Sequence, residues 1–162
     1  MDKQKPNSDQ ESVWDYPRPP RVEPVDQPIR VVFNGVTIAE TNHAQRVLET
    51  SHPPVYYIPP DEVRMKYLLP TTRQTVCEFK GAATYWTIKV EDKMSPNAAW
   101  SYEQPWPGYE SLARHVAFYA NRVDACYVGN EKVIPQPGDF YGGWITSKIV
   151  GPFKGGPGTQ GW

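Results

Sequence analysis

A cysteine, a lysine and a tyrosine stand close together in the stretch from Thr75 to Trp86, which reads Thr-Val-Cys-Glu-Phe-Lys-Gly-Ala-Ala-Thr-Tyr-Trp. The thiol of Cys77 and the amine of Lys80 are nucleophile types, and a positive charge beside a thiol stabilises the reactive thiolate. The phenol of Tyr85 can carry a proton or hold a ligand. Each has a structural alternative, since free cysteines often pack as small apolar side chains and a lysine before a glycine is typical of a solvated turn. The stretch therefore predicts a candidate site and leaves its chemistry open.

Aromatic residues and one histidine extend this candidate site. Trp100, Tyr102 and Trp106 lie within seven residues, which indicates either an aromatic wall for a planar or cationic ligand or core and rim packing. His115 is a candidate proton carrier, the alternative being a hydrogen-bonded structural histidine. The candidate catalytic residues are Cys77, Lys80 and His115. The candidate ligand-binding residues are Tyr57, Lys80, Tyr85, Trp100, Tyr102 and His115.

Strands are the elements expected to hold these side chains. Residues 29–33 and 36–39 are β-branched runs joined by Asn34-Gly35, the strongest short signal for a hairpin, because both central residues of its turn need positive φ. Residues 85–90 predict a strand whose alternation places Trp86, Ile88 and Val90 on the core face.

Two segments carry helical signals. Residues 61–69 begin with two acidic residues and end before Pro70, which predicts one helix of about two turns. Residues 41–50 fit a short capped helix and a strand almost equally well, and the alternatives remain open.

Composition favours a mainly β protein. The chain of 162 residues has 18 prolines, 12 glycines, 6 Trp and 10 Tyr, which oppose long helices and suit pleated surfaces. The net charge of −1 gives no field that would gather nucleic acid, so nucleic acid is not an expected partner. No apolar run approaches the roughly 20 residues that span a bilayer, so no membrane association is expected either.

The cysteine pattern bears on the compartment and on metals. Cys77 and Cys126 are far apart in the sequence and form neither a disulfide framework nor a Cys-x-x-Cys zinc site. We expect reduced thiols, a soluble cytoplasmic protein, and no metal or cofactor. His43 and His52 lie next to loops and are assigned no role.

The chain divides into three parts. Residues 1–28 are rich in proline and are expected to be an extended or disordered leader, with Trp14 and Tyr16 as the residues that would dock it. Residues 29–134 form one compact β domain. Residues 135–162 combine glycine, proline and aromatic residues, which predicts an irregular tail packed on the domain or on a partner, including a second copy of the chain.

The order and spacing of several motifs resemble a widespread bacterial family, the domain-of-unknown-function family 427, labelled nucleotidyltransferase-like. The resemblance covers about residues 31–133 and rests on Pro54-Val-Tyr-Tyr-Ile-Pro59 with Asp61-Glu-Val63, on Cys77-x-x-Lys80-Gly81-x-Ala83-x-Tyr85, on Ala99-Trp100 with Tyr102 and Pro105, and on His115-Val-Ala-Phe-Tyr119. The motifs Pro137-Gly-Asp-Phe-Tyr-Gly-Gly-Trp144 and Gly151-Pro-Phe-Lys154 look like the C-terminal extension of cyanobacterial members.

The resemblance implies a compact antiparallel β fold similar to the β-tent group, in which small sheets leave an aromatic-lined cleft. Many members of that group hold zinc on two Cys-x-x-Cys motifs, and this sequence has neither, so the metal is not carried over. The transferase label is not supported by a phosphate-binding glycine loop or by paired acidic metal ligands at a Gly-Ser motif.

Three functional hypotheses follow. The first is a binding domain that holds a small ligand in an aromatic cleft near Cys77, Lys80, Gly81 and Tyr85. The second is an enzyme that uses Cys77 or Lys80, with His115 or Tyr85 as proton carrier. The third is a structural or regulatory subunit that grips a partner through its leader and tail.

Overall fold

The computed structural model describes residues 2–162 and is built almost entirely from short strands. Over these residues there are fifteen strands: β1 (Glu11–Ser12), β2 (Arg21–Pro24), β3 (Ile29–Phe33), β4 (Val36–Thr41), β5 (Gln45–Leu48), β6 (Val55–Tyr57), β7 (Leu68–Cys77), β8 (Gly81–Val90), β9 (Lys93–Ser101), β10 (Val116–Phe118), β11 (Ala125–Val128), β12 (Glu131–Lys132), β13 (Ile134–Pro135), β14 (Trp144–Ile145) and β15 (Ile149–Val150). The helical residues are five single 3-10 turns: Val13–Asp15, Pro60–Glu62, Met65–Tyr67, Glu110–Leu112 and Ala120–Arg122. The mainly β fold predicted from composition is confirmed.

The strands form three larger sheets and two small pairs. The first sheet has the order β12-β11-β3-β4, the second β10-β9-β8-β7 and the third β2-β5-β6. The pairs are β13 with β14 and β1 with β15, and the latter is parallel whereas every other ladder is antiparallel. None of the sheets of the described chain closes into a barrel. In residues 2–162 no helix has the length and apolar character needed to cross a bilayer.

The hairpin predicted at Asn34-Gly35 is confirmed. Strands β3 and β4 pair from Ile29 with Thr41 to Phe33 with Val36. Asn34 and Gly35 have φ of 49° and 74°, the left-handed values that the two-residue turn requires.

The helix predicted over residues 61–69 is wrong. Two separate 3-10 turns occupy this segment, and β7 already begins at Leu68, which pairs with Ile88. Pairing with a neighbouring strand therefore outweighed the local helical signal, as tertiary context commonly does. The ambiguous segment 41–50 forms the strand β5, which pairs on both sides.

The second sheet lies between the first and the third sheet, so both of its faces are covered. One face packs on the first sheet, and the apolar core between them includes Ile88 and Val90, as the alternation predicted, with Trp86 only partly buried at its edge. The opposite face carries Ala83 and Tyr85 and packs toward the third sheet in a second, largely aromatic cluster. This second cluster positions the candidate site.

The segments on either side of the sheets lie against them. Val13 in the leader is fully buried in a cluster with Leu48 and Ile149, where the sequence indicated an extended or disordered segment. In the tail, Trp144 is 1% exposed, stacks on Tyr56 at 5.0 Å and donates its indole N–H to the Phe118 carbonyl at 3.0 Å. Aliphatic and indole surface thus anchors segments whose proline and glycine content suggested irregular chain.

Candidate functional site

A cavity of about 360 Å³ opens between the second sheet, the third sheet and the tail. Its size falls in the range of small-molecule pockets. The aromatic residues around it are Tyr57, Phe79, Tyr85, Trp100, Tyr102, Tyr119, Phe140 and Tyr141. The polar and charged residues around it are Arg18, Glu49, His52, Thr75, Cys77, Glu78, Lys80, Gln136 and Lys154.

Buried aromatic side chains form the floor. Trp100 and Tyr57 meet edge to face with ring centroids 6.3 Å apart, and the Trp100 Nε1–H donates to Tyr57 Oη at 3.3 Å. Tyr102 lies beside Tyr57 at 6.2 Å. Burial raises the pKa of Tyr57 and of Tyr102, so both phenols stay protonated at neutral pH. The floor is therefore neutral, apolar on its ring faces and polar at its hydroxyls.

The turn between β7 and β8 brings Cys77 and Lys80 into contact. Gly81 has φ of +111°, a value open to glycine, and a Cβ there would lie 3.1 Å from the Trp106 indole. The chain therefore folds back, and Lys80 is 7% exposed with its Nζ 3.2 Å from Cys77 Sγ. Cys77 itself is half-buried and lines the cavity, unlike the fully packed thiol that the structural alternative describes.

Lys80 carries its positive charge inside the protein. Burial acts to lower its pKa, but the nearby phenol of Tyr57 and thiol of Cys77 act in the opposite sense, and the pKa is raised. In the described residues none of the ion pairs includes Lys80. The cavity thus contains an ammonium whose only side-chain hydrogen bond is to sulfur.

His52 also lines the cavity, and its hydrogen bonds define its protonation state. The Gln136 amide is oriented by two backbone groups, because its Oε1 accepts from the Gly143 N–H at 3.0 Å and its Nε2 donates to the Lys154 carbonyl at 2.8 Å. The same Nε2 donates to His52 Nδ1 at 3.1 Å, which leaves the imidazole proton on Nε2. Burial, reinforced by the positive charges of Lys154, Arg18 and Lys80, lowers the pKa of His52 to about 3. His52 is therefore neutral and presents an N–H donor.

The family model described as "Domain of unknown function (DUF427)" matches residues 21–129. The chain belongs to this family. A search of the curated proteins found no match.

The DUF427 match divides the cavity into two parts. The aromatic floor, Cys77 and Lys80 lie within the matched residues, whereas six lining residues lie outside them: Arg18, Gln136, Phe140, Tyr141, Gly142 and Lys154. Tyr119 Oη donates to the Phe140 carbonyl at 2.7 Å, and Gly142 sits so close to Trp100 that a Cβ would overlap the indole. The tail thus roofs a cavity whose floor is built by the DUF427 domain.

The structure brings together most of the residues that the sequence singled out. Tyr57, Cys77, Lys80, Tyr85, Trp100 and Tyr102 all line the cavity. His115 does not; its Nδ1 lies 3.2 Å from the Ala113 carbonyl, outside the lining. Within residues 2–162 no group of three or more His, Cys, Asp or Glu side chains is placed to hold a metal ion.

The residues that sequence reasoning missed are His52, Gln136 and Lys154. Each reaches the cavity through contacts between distant segments, and nothing in the local pattern marks them. The single available signal was position, since His52 directly precedes the proline pair that leads into the strand carrying Tyr57.

Proposed function

We propose that this DUF427 domain binds a small organic ligand in the cavity beside Cys77 and Lys80. The observation that carries the proposal is the cavity of about 360 Å³ with aromatic walls and a few convergent polar groups. Pockets of this composition are the usual form of small-molecule sites. The aromatic faces suit a ring or another flat apolar body, and the buried donors suit polar groups at its edge.

The first experiment asks whether the purified protein retains a bound small molecule. Native mass spectrometry of the protein purified under mild conditions is expected to show a bound small molecule. A compound at about one hundred times its Kd adds about 2.7 kcal/mol to the free energy of unfolding. For a domain of this size that is a rise of several degrees in Tm.

A matched pair of variants tests whether the ligand that raises the Tm binds in this cavity. Trp100→Phe alters the cavity floor, whereas Trp106 is 43% exposed and does not line the cavity. The Tm rise should shrink in Trp100→Phe and persist in Trp106→Phe. Protein that is empty by mass spectrometry and gains no Tm across a metabolite library would contradict the proposal.

A second candidate function is catalysis by Cys77. The specific observation in its favour is the distance of 3.2 Å between Lys80 Nζ and Cys77 Sγ at the edge of a cavity, because an ammonium stabilises a thiolate nucleophile. Under this alternative a substrate would form a covalent adduct on Cys77. Intact-mass measurement after exposure to metabolite extracts tests it, with Cys77→Ser as the control.

A cytoplasmic location is also part of the proposal. Both cysteines are free thiols, and free thiols persist in a reducing compartment. Labelling of Cys77 in rapidly quenched cells would show a reduced thiol if this is right and an oxidised one if it is wrong.

A further inference from the structure

We infer that the ligand is an organic anion with a flat apolar body, and that its carboxylate or comparable acidic group pairs with the Lys80 ammonium. This inference rests on the proposed binding function and adds the chemical class of the ligand. It keeps the planar body that the aromatic residues alone suggested and replaces the cationic option by an anion.

Lys80 is the buried cation that an anionic ligand would pair with. It is 7% exposed, and its one side-chain hydrogen bond is to Cys77 Sγ at 3.2 Å. An ammonium has three donors and no acceptor, and sulfur is a weak acceptor. A buried charge is normally paired with an opposite charge. No carboxylate of the described chain lies within ion-pair distance of Lys80 Nζ, and Glu49 acts on it only from farther away. A ligand carboxylate would supply the missing acceptor.

The other charged groups leave the cavity with a positive character. Glu49 is engaged by Arg18, whose Nε lies 3.3 Å from Glu49 Oε2. Glu78 is exposed at the rim. Lys154 extends over the Tyr141 ring, its Nζ 5.5 Å from the centroid. Two ammonium groups therefore face the cavity without a carboxylate partner.

The neutral polar groups include a further donor. Gln136 fixes the His52 proton on Nε2, which lies 3.9 Å from Glu49 Oε2, beyond hydrogen-bonding range. Tyr57 and Tyr102 are protonated phenols on the floor. The phenols can donate or accept, whereas the His52 N–H can only donate, so the groups around the cavity offer an acceptor-rich ligand one more partner.

The aromatic surface accounts for the apolar body. Trp100 lies against Tyr119 with centroids 4.7 Å apart and continues into Tyr57. The roof residue Tyr141 meets the His52 ring edge to face at 4.6 Å. A flat ring placed between floor and roof would contact aromatic faces on two sides while its acidic group reached Lys80.

Three probes of similar size test the inference: 2-naphthoate, 2-naphthamide and 2-naphthylmethylammonium. They share the ring system and differ in charge. Titration of the full chain is followed by NMR on the Trp100 indole N–H, assigned with Trp100→Phe. A charge-assisted hydrogen bond predicts that naphthoate binds about tenfold to a hundredfold more tightly than naphthamide. The ammonium compound is expected to bind weakest.

Lys80→Met and Lys89→Met form the matched pair of variants. Lys89 is an exposed lysine of β8, the strand that follows Lys80, and it lies outside the cavity lining. Lys80→Met should abolish the preference for naphthoate over naphthamide, and Lys89→Met should keep it. The wild-type comparison of the three probes stands even if Lys80→Met does not fold.

The outcomes separate the two proposals. Equal affinities for the three probes, or a preference for the ammonium compound, overturn the anion inference and leave the binding function standing. A Trp100 signal that none of the probes shifts overturns the anion inference, whereas the proposed binding function is decided by the retained ligand and the metabolite library. A naphthoate preference that survives Lys80→Met refutes the role given to Lys80.

Discussion

The buried neutral state of His52 predicts a specific dependence of stability on pH. Its side chain is 8% exposed, and burial beside Lys154, Arg18 and Lys80 lowers its pKa to about 3, against 6.5 for the free side chain. Above about pH 6.5 the imidazole is neutral in both the folded and the unfolded chain. Between pH 6.5 and pH 3 only the unfolded chain binds the proton, so the free energy of unfolding falls as the pH falls.

The size of the effect follows from the pKa difference. Each pH unit within that window changes the free energy of unfolding by about 1.4 kcal/mol. Going from pH 7 to pH 5 should therefore cost about 2 kcal/mol through His52 alone. Urea denaturation at pH 7 and at pH 5 measures this change in the free energy of unfolding.

His43 provides the control because it is 78% exposed and pairs with Glu62 at the surface. His52→Asn retains an acceptor for the Gln136 amide and cannot titrate, so its loss of stability between pH 7 and pH 5 should be smaller than that of the wild type by about 2 kcal/mol. His43→Asn should behave as the wild type. Carboxylates such as Glu11 make the same contribution to the pH dependence of the free energy of unfolding in all three proteins, so their contribution cancels in the comparison. The same pH dependence in His52→Asn and in the wild type would refute the reasoning.

Three further predictions concern anchors, reactivity and the leader. Trp144→Ala should lower the free energy of unfolding by about 3 to 5 kcal/mol, whereas exposed Trp106→Ala should cost about 1 kcal/mol; similar urea midpoints for the two variants would contradict the packing described for the tail. Iodoacetamide should modify Cys77, at the cavity, faster than Cys126, which is 1% exposed and whose pKa is raised by burial; peptide mapping that shows equal rates would contradict this accessibility. Deleting residues 2–16 removes the buried Val13 and should cost about 2 kcal/mol or more, while deleting residues 2–9 should cost less; equal denaturation midpoints for the two deletions would show that Val13 is not an anchor.

Local sequence signals were enough for the elements whose geometry is itself local. The Asn34-Gly35 turn needs two left-handed residues in succession, and Asn followed by Gly is the residue pair that adopts these φ values most readily. Cys77 and Lys80 are three residues apart, which suggested that Lys80 could supply a charge to the thiol, and the turn between β7 and β8 brings Lys80 Nζ to 3.2 Å from Cys77 Sγ. For Trp100 and Tyr102 the sequence allowed an aromatic wall or core packing, and both side chains are buried in the aromatic cluster and line the cavity.

The remaining features depend on contacts between distant segments, which local patterns do not encode. The segment around Leu68 has helical periodicity, but pairing with Ile88 makes it a strand. His52 becomes a defined donor only because Gln136, from the tail, reaches it. The proline content of the leader favoured an extended or disordered segment, with Trp14 and Tyr16 as the docking residues, and the aliphatic side chain of Val13 is fully buried.

The parallel pairing of β1 with β15 has a consequence for the order of events during synthesis. Glu11 pairs with Ile149, and the Trp14 ring meets that of Trp162 at 5.3 Å. A ribosome produces the first of these partners long before the second, so the apolar surface of Val13 remains uncovered while the three larger sheets are already available to form. Completion of the fold must wait for residues 149–162 to emerge, and the roof of the cavity is incomplete until Lys154 is among them. A nascent chain stalled before Trp144 would therefore expose both an incomplete core and an open site, the kind of surface that chaperones engage.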